Sequence, residues 1–290
     1  MSDARKTSVI EQAGALASLR DALRLEAEKV AHSYLRGPHG RKRAGAGEKF
    51  WQFRPYHPGD VPRDIDWRQT AKRDEVFVRE REHDAAQTLW LWCDRTASMD
   101  YSGSGKIPTK FERAEVLALA AAVLALEGGE RVGVLGTGQP ARSHISALAQ
   151  LQSQLDEAPA LDAGLMPAGS RGVTLLASDF YVDTAVVDAA CANLRARESR
   201  IVLLQICDRG EEDLPWRGRV RFEDAEASDD AMMIDDVDAL RAAYREKFQA
   251  HRAALADIAQ RHGGVLLAVR TDEAAGAVLA RVIDAVTGQG

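Results

Sequence analysis

The feature that most constrains the fold is a set of short apolar runs that each end abruptly at an acidic residue. The stretch TLWLWCDRTASM, residues 88–99, passes from an apolar run into Asp94, and residues 172–177 lead in the same way into Ser178 and Asp179. Such runs, bounded by polar turn residues, are typical of strands buried on both faces of a sheet. Ligands of open α/β sheets bind beyond the carboxyl ends of such strands, so we expect a site where these runs end.

Segments with helical spacing of apolar residues separate these runs. Further strands are predicted at residues 131–136, 201–207 and 265–269. Helices are predicted at residues 111–126, 146–155, 183–197 and 240–258, with a closing helix that Asp272 opens. This alternation predicts an α/β fold with a doubly wound, mainly parallel sheet that is flanked by helices.

The chain before residue 87 has a different character. Residues 9–35 have the spacing of one amphipathic helix, and residues 53–84 mix prolines, aromatic residues and alternating charges that indicate a small irregular or β segment. Between them lies a basic, glycine-rich arm that includes Arg41, Lys42 and Arg43. This arm is either a contact for phosphates or an acidic protein surface, or a solvated loop. We therefore expect a first part at residues 1–86 and an α/β domain at residues 87–290.

Composition excludes several classes of protein. The balance of 38 basic against 44 acidic residues gives a net charge of −6, which offers no general attraction to nucleic acid. The longest apolar stretch, residues 116–126, is about half of the roughly 20 residues that a membrane span needs. The N-terminus lacks the apolar core of a signal peptide, and Cys93, Cys191 and Cys207 are widely spaced in apolar surroundings. We expect a reduced cytoplasmic protein without a membrane span.

One long stretch, residues 208–238, is strongly acidic. Runs of like charge are usually solvated loops, so this is the interpretation that we favour. The alternative is a surface that complements a basic partner.

The polar residues after the first apolar run alternate as Asp94, Thr96 and Ser98, so a tight loop can direct their three oxygens to one point. Hard oxygen ligands of low total charge suit Mg²⁺, and Asp179 would supply a second carboxylate from a neighbouring strand. The alternative is that Thr96 and Ser98 cap the loop and the following helix start, with Asp94 hydrogen-bonded to the backbone.

The sequence assembles no catalytic set around these residues. GSGK at residues 103–106 lacks the first glycine of the phosphate-loop motif. Thr96 stands where a phosphoaspartyl enzyme needs a second acid, and Ser98 lies outside a G-x-S-x-G elbow. A metal-dependent hydrolase, a phosphatase or nuclease that uses Asp94 and Asp179, remains the alternative to an interaction protein.

Two segments resemble known families. The residues DRTAS after an apolar strand resemble the D-x-S-x-S motif of von Willebrand factor A domains, whose metal-ion-dependent adhesion site (MIDAS) holds Mg²⁺ and lets a partner's carboxylate complete its shell. The segment EKFWQFRPYHPGDVPRDIDWRQTAKRDEVFVRERE resembles the segment that defines the bacterial family called domain of unknown function 58, as do LLASDF, YREKFQAHRAAL and the final RTDE.

The resemblance implies a von Willebrand A-like domain that works with a MoxR-type AAA+ ATPase or a client protein, without catalytic activity of its own. It implies a Mg²⁺ site formed by Asp94, Thr96, Ser98 and Asp179, and a partner contact at Asp94, Arg95 and Ser98. In two respects the sequence departs from the pattern: Thr96 replaces the first serine, and only Ser170 stands near the expected threonine. We therefore expect a non-enzymatic interaction module with an incomplete adhesion site.

Overall fold

The computed structural model describes residues 2–36, 50–56, 65, 67–71, 75–81, 87–104, 107–162, 171–223 and 231–288. The predicted basic arm with Arg41, Lys42 and Arg43 lies outside the described residues, as does Ser170.

The N-terminal part consists of one long helix and a small β structure. Helix α1 is Ser2–Arg36, strand β1 is Phe50–Pro55, the short helix α2 is Trp67–Thr70, and strand β2 is Phe77–Arg81. The two strands pair in antiparallel fashion. Both the helix and the small β segment were predicted from the sequence. Leu23, Ala27 and Ala31 on α1 are buried in the same apolar core as the central sheet.

The strands after residue 87 form a parallel sheet and a separate hairpin. They are β3 (Thr88–Cys93), β4 (Arg131–Val134), β5 (Gly172–Ser178), β6 (Ser199–Cys207), β7 (Val220–Glu223), β8 (Ala231–Ile234) and β9 (Val265–Arg270). The central sheet has the order β4-β3-β5-β6-β9, and all of its pairs are parallel. β7 and β8 pair with each other in antiparallel fashion. The predicted mainly parallel sheet is confirmed.

Helices flank this sheet. They are α3 (Lys110–Glu127), α4 (Leu148–Asp156), α5 (Thr184–Ala196), α6 (Arg209–Asp213), α7 (Val237–Arg261) and α8 (Ala275–Thr287). α3 contacts β3 and β5 and is covered by α1 and α8, which explains why it is apolar nearly all round. α5 and α7 pack on each other, and α7 also contacts β9. Within the described residues, no helix has the length and apolar character to cross a membrane.

Two local predictions were wrong. The stretch at residues 208–238 is not simply a solvated loop, because Asp208 is buried as the N-cap of α6 and the segment also contains β7 and β8. The closing helix begins at Ala275 and not at Asp272. The carboxylate of Asp272 instead accepts a hydrogen bond from Arg270 Nε at 2.9 Å, which holds it in the preceding turn.

Candidate functional site

The parallel sheet brings three acids to one edge, and two of them, Asp94 and Asp179, were predicted as site residues. Asp94, Asp179 and Asp208 directly follow β3, β5 and β6, which are neighbours in the sheet. All three acids are buried, with 4%, 1% and 1% of their surfaces exposed. Buried carboxylates need hydrogen bonds or counter-charges, so their partners define what this edge can do.

Asp94 organises the loop that follows β3. Its Oδ1 accepts a hydrogen bond from the amide of Thr96 at 2.9 Å, and its Oδ2 accepts one from the hydroxyl of Ser178 at 2.6 Å. The hydroxyls of Thr96 and Ser98 lie 3.2 Å apart. The backbone hydrogen bond of Asp94 belongs to the alternative interpretation of this motif, in which the loop is structural. Thr96 precedes a 3₁₀ turn at Ala97–Asp100, but its side chain makes no capping hydrogen bond there.

Arg95 is the exposed basic residue of this loop, and Asp100 is its exposed acid. Its guanidinium carbon lies 3.8 Å from the centre of the Phe111 ring, a cation–π contact that restrains the side chain at the surface. Ser98, three residues further along the loop, is half-buried, whereas Asp94 is buried. Arg95 and Ser98 are therefore accessible to a partner at this position, whereas the buried Asp94 stabilises the loop.

Asp179 is engaged by a lysine. Its Oδ2 accepts a hydrogen bond from Lys110 Nζ at 2.7 Å, and its Oδ1 accepts one from the amide of Tyr181 at 3.0 Å. The same ammonium donates to Oε1 of Glu211 at 2.5 Å. Lys110 is fully buried, so two carboxylates and one ammonium form an ion-pair cluster inside the protein. Asp179 thus faces this cluster, and Ser178 is the side chain that contacts Asp94.

The sequence interpretation missed both Lys110 and Glu211. Each is placed by a helix start that has a recognisable pattern. Thr109 and Glu112 form a capping box at the start of α3, and Asp208 and Glu211 form one at the start of α6. The sequences TKFE and DRGE carry the capping spacing, so the helix starts were detectable, but nothing local shows that they meet.

Electrostatics keeps the Lys110 ammonium of this cluster charged. Burial by itself lowers the pKa of Lys110, but the carboxylates of Glu211 and Asp179 outweigh it and raise the pKa above the usual lysine value. Burial raises the pKa of Glu211, although the Lys110 ammonium acts in the opposite direction. Burial also raises the pKa of Tyr181, whose ring lies 4.9 Å from the ammonium. Lys110 therefore carries its positive charge at neutral pH.

Asp208 ties the loop after β3 to the neighbouring strands. Its Oδ2 accepts hydrogen bonds from the amide of Gly103 at 3.2 Å and from the hydroxyl of Thr271 at 3.0 Å. Its Oδ1 accepts one from the amide of Gly210 at 2.7 Å. A Cβ atom on Gly103 would lie 2.4 Å from Oδ1 of Asp208, so this close approach requires glycine.

The predicted metal ligands fit a divalent ion only in part. The oxygens of Asp94, Thr96 and Ser98 are of the kind that Mg²⁺ prefers. Asp179 does not fit, because an ammonium already occupies its Oδ2. In the described part of the chain, no three His, Cys, Asp or Glu side chains are grouped so as to hold a metal ion. The Mg²⁺ assignment stays a prediction.

Fold and site together define an α/β protein whose parallel sheet carries a buried ion-pair cluster and an exposed arginine loop at its carboxyl edge. The chain belongs to the family described as "Protein of unknown function DUF58", which matches residues 52–254. The resemblance that the IDW segment predicted is thereby confirmed.

The chain is also similar to two mycobacterial proteins and to two solved structures from Bacteroides. The chain is 29% identical over 278 residues to the uncharacterized proteins Rv1480 of Mycobacterium tuberculosis and Mb1516 of Mycobacterium bovis, covering 89% of this chain and 85% of theirs. An aerotolerance-related membrane protein from Bacteroides fragilis matches with a TM-score of 0.44 and 14% identity, over 70% of this chain and 100% of that one. BatB from Bacteroides thetaiotaomicron matches with 0.41 and 11%, over the same shares. Neither similarity carries a functional argument.

Proposed function

We propose that this protein is a non-enzymatic interaction module, with a von Willebrand A-like domain, that acts with a MoxR-type AAA+ ATPase or its client. The contact is the loop of residues 94–101, called here the contact loop. The main support for this proposal is Arg95, an exposed arginine whose guanidinium lies over the ring of Phe111. Asp94 stabilises the loop that carries it by accepting a hydrogen bond from the amide of Thr96.

The chemistry of the contact loop favours an acidic group on the partner. Arg95 presents a guanidinium, which suits the planar geometry of a carboxylate. The hydroxyls of Thr96 and Ser98 lie next to it and are half-buried. The loop also carries the exposed acid Asp100, so a partner's acidic group is expected to contact Arg95 and to lie away from Asp100.

The arrangement of the acids favours binding over catalysis. Both carboxylate oxygens of Asp94 accept internal hydrogen bonds, and both oxygens of Asp179 do so as well. General acid–base or nucleophilic work needs a carboxylate that can reach a substrate, and burial works against this. These contacts support a positioning role for both residues.

The test is capture of a MoxR-type ATPase from the same genome by the purified full chain. Arg95→Glu is expected to weaken capture at least about tenfold, which corresponds to loss of one charge-assisted contact. The matched control is Arg171→Glu, since Arg171 is exposed and precedes β5, at the opposite edge of the sheet. Asp94→Ala is expected to weaken capture through disorder of the loop. Equal capture by wild type, Arg95→Glu and Asp94→Ala would remove the contact loop from the interface.

A screen for hydrolase activity distinguishes the interaction module from the alternative, a metal-dependent phosphatase or nuclease. Phosphatase and nuclease substrates are offered to the wild type with Mg²⁺ or Mn²⁺, and no turnover above that of Asp94→Ala is expected. Turnover that Asp94→Ala and Asp179→Asn both abolish would replace the adaptor proposal with a metal-dependent hydrolase.

A further inference from the structure

Lys110 is the most unusual charged residue among those the structure describes, because its side chain is completely buried. It is the first residue of α3, and the capping box of Thr109 and Glu112 fixes the helix start on which it stands. A lone buried ammonium is costly, so a lysine at such a position requires compensating negative charge.

The compensating acids are themselves held in place. Asp179 accepts from the amide of Tyr181 with the oxygen that Lys110 does not use. Glu211 accepts from the amide of Asp208 at 2.8 Å with its second oxygen. The ring of Tyr101 lies 5.9 Å from the ammonium and adds a weak cation–π contact. The cluster is therefore a built cation site, and its cation is a residue of the chain.

A divalent ion and this lysine compete for the same carboxylate. A Mg²⁺ ion that used Asp179 would need an oxygen at about 2.1 Å, whereas that carboxylate already accepts from an ammonium. Two cations beside one carboxylate repel strongly in a buried site. Binding of the metal would thus require the fully buried ammonium of Lys110 to leave Asp179, which separates a buried ion pair.

We propose that Lys110 is the resident cation of this site, which supplies to Asp179 the positive charge that a divalent ion would otherwise supply. Asp94, Thr96 and Ser98 then shape the contact loop by direct hydrogen bonds, without Mg²⁺. The inference rests on the proposed function in one respect, since it makes partner binding by the contact loop independent of divalent cations. The experiments that test it use no partner protein. A failure of the Lys110 proposal can therefore be distinguished from a failure of the proposed partner binding.

The first experiment is a calorimetric titration of Mg²⁺ into the wild-type full chain and into Asp94→Asn. We expect no saturable binding in the millimolar range. Saturable binding that Asp94→Asn leaves unchanged lies outside this site and is also consistent with the proposal. One Mg²⁺ bound per wild-type chain and lost in Asp94→Asn would overturn it.

The second experiment replaces the cation. Lys110→Met leaves two buried carboxylates without a counter-charge, so its Tm is expected to fall and then to rise when Mg²⁺ is added. Lys247→Met, at an exposed lysine of α7, is the matched control and is expected to keep the wild-type Tm with and without Mg²⁺. An unchanged Tm of Lys110→Met, or a lowered Tm that Mg²⁺ leaves unaltered, would contradict the proposal. If Lys110→Met fails to fold, the wild-type titration decides.

Discussion

Lys110 Nζ lies 2.7 Å from Asp179 Oδ2, and the two side chains are 0% and 2% exposed. This contact joins the start of α3 to the end of β5, the strand next to β3. Asp179 was predicted as the second carboxylate of a metal site, and the structure gives it an internal counter-charge. The carboxyl edge of the sheet is consequently a hydrogen-bonded platform of buried acids, in which Lys110 supplies the counter-charge of Asp179 and Glu211.

The ion pair makes stability sensitive to alkaline pH. Because the pKa of Lys110 is raised in the folded state, folding retains a proton that the unfolded chain loses near the usual lysine value of about 10.4. The stabilisation is fully present below that value and is lost as pH rises toward the folded pKa. Urea unfolding over an alkaline pH series is expected to show a steeper loss of stability in wild type than in Lys110→Met. Parallel curves would show that the pair contributes nothing.

Gly103→Ala tests how closely the chain that follows the contact loop approaches Asp208. The added Cβ would lie 2.4 Å from Oδ1 of Asp208, so we expect a loss of about 1–3 kcal/mol in the free energy of unfolding. Gly276→Ala is the control, because an added Cβ there meets open space in the first turn of α8, so no loss of stability is expected. Urea titration measures both. A Gly103→Ala protein as stable as wild type would show that the loop has room to move.

Thr109→Ala tests whether the position of Lys110 affects partner binding independently of the stability of the protein. The hydroxyl of Thr109 accepts from the amide of Glu112, and loss of such a cap costs about 1 kcal/mol. Asp183→Ala removes a comparable cap at the start of α5, where Asp183 accepts from the amide of Ala185. Thermal unfolding is expected to show similar losses, whereas only Thr109→Ala should weaken capture of the ATPase. Equal capture of the ATPase by both variants would show that the position of Lys110 does not affect binding by the contact loop.

The three cysteines are expected to be unreactive in the folded protein. Cys93, Cys191 and Cys207 are free and buried, and burial raises the pKa of Cys191 and of Cys207 to about 12. The thiolate is the reactive form, so labelling with a disulfide reagent near neutral pH should follow unfolding. Absorbance of the released thiolate reports the rate. A thiol that reacts at once in native buffer would contradict the burial described here.

The periodic segments were predictable because their cause is local. The apolar run of residues 88–93 and the acid after it indicate a buried strand and its polar end without further information. The approach of Asp94, Asp179 and Asp208 to one edge follows from parallel strands alone. The DRTAS spacing also placed Arg95, Thr96 and Ser98 on the loop that the structure shows.

The ion-pair cluster was not predictable because its members are far apart in the chain. Lys110 is 69 residues from Asp179 and 101 from Glu211. On the sequence, Lys110 is one polar residue before an apolar helix, and Glu211 is one acid in a strongly acidic stretch. Which acid pairs with Lys110 depends on the strand order β3-β5-β6. The periodicity of apolar residues in the sequence does not reveal that order.

The most direct test of the account is site-specific photocrosslinking at position 97 in cells that contain the MoxR-type ATPase. A photoreactive amino acid replaces Ala97 in one strain and Arg171 in another, since both residues are exposed and lie at opposite edges of the sheet, and the replacement of Ala97 leaves Arg95 in place. We predict an adduct with the ATPase or its client from position 97 and none from position 171. Adducts of equal yield at both positions, an adduct from position 171 alone, or no adduct from either position would contradict the account.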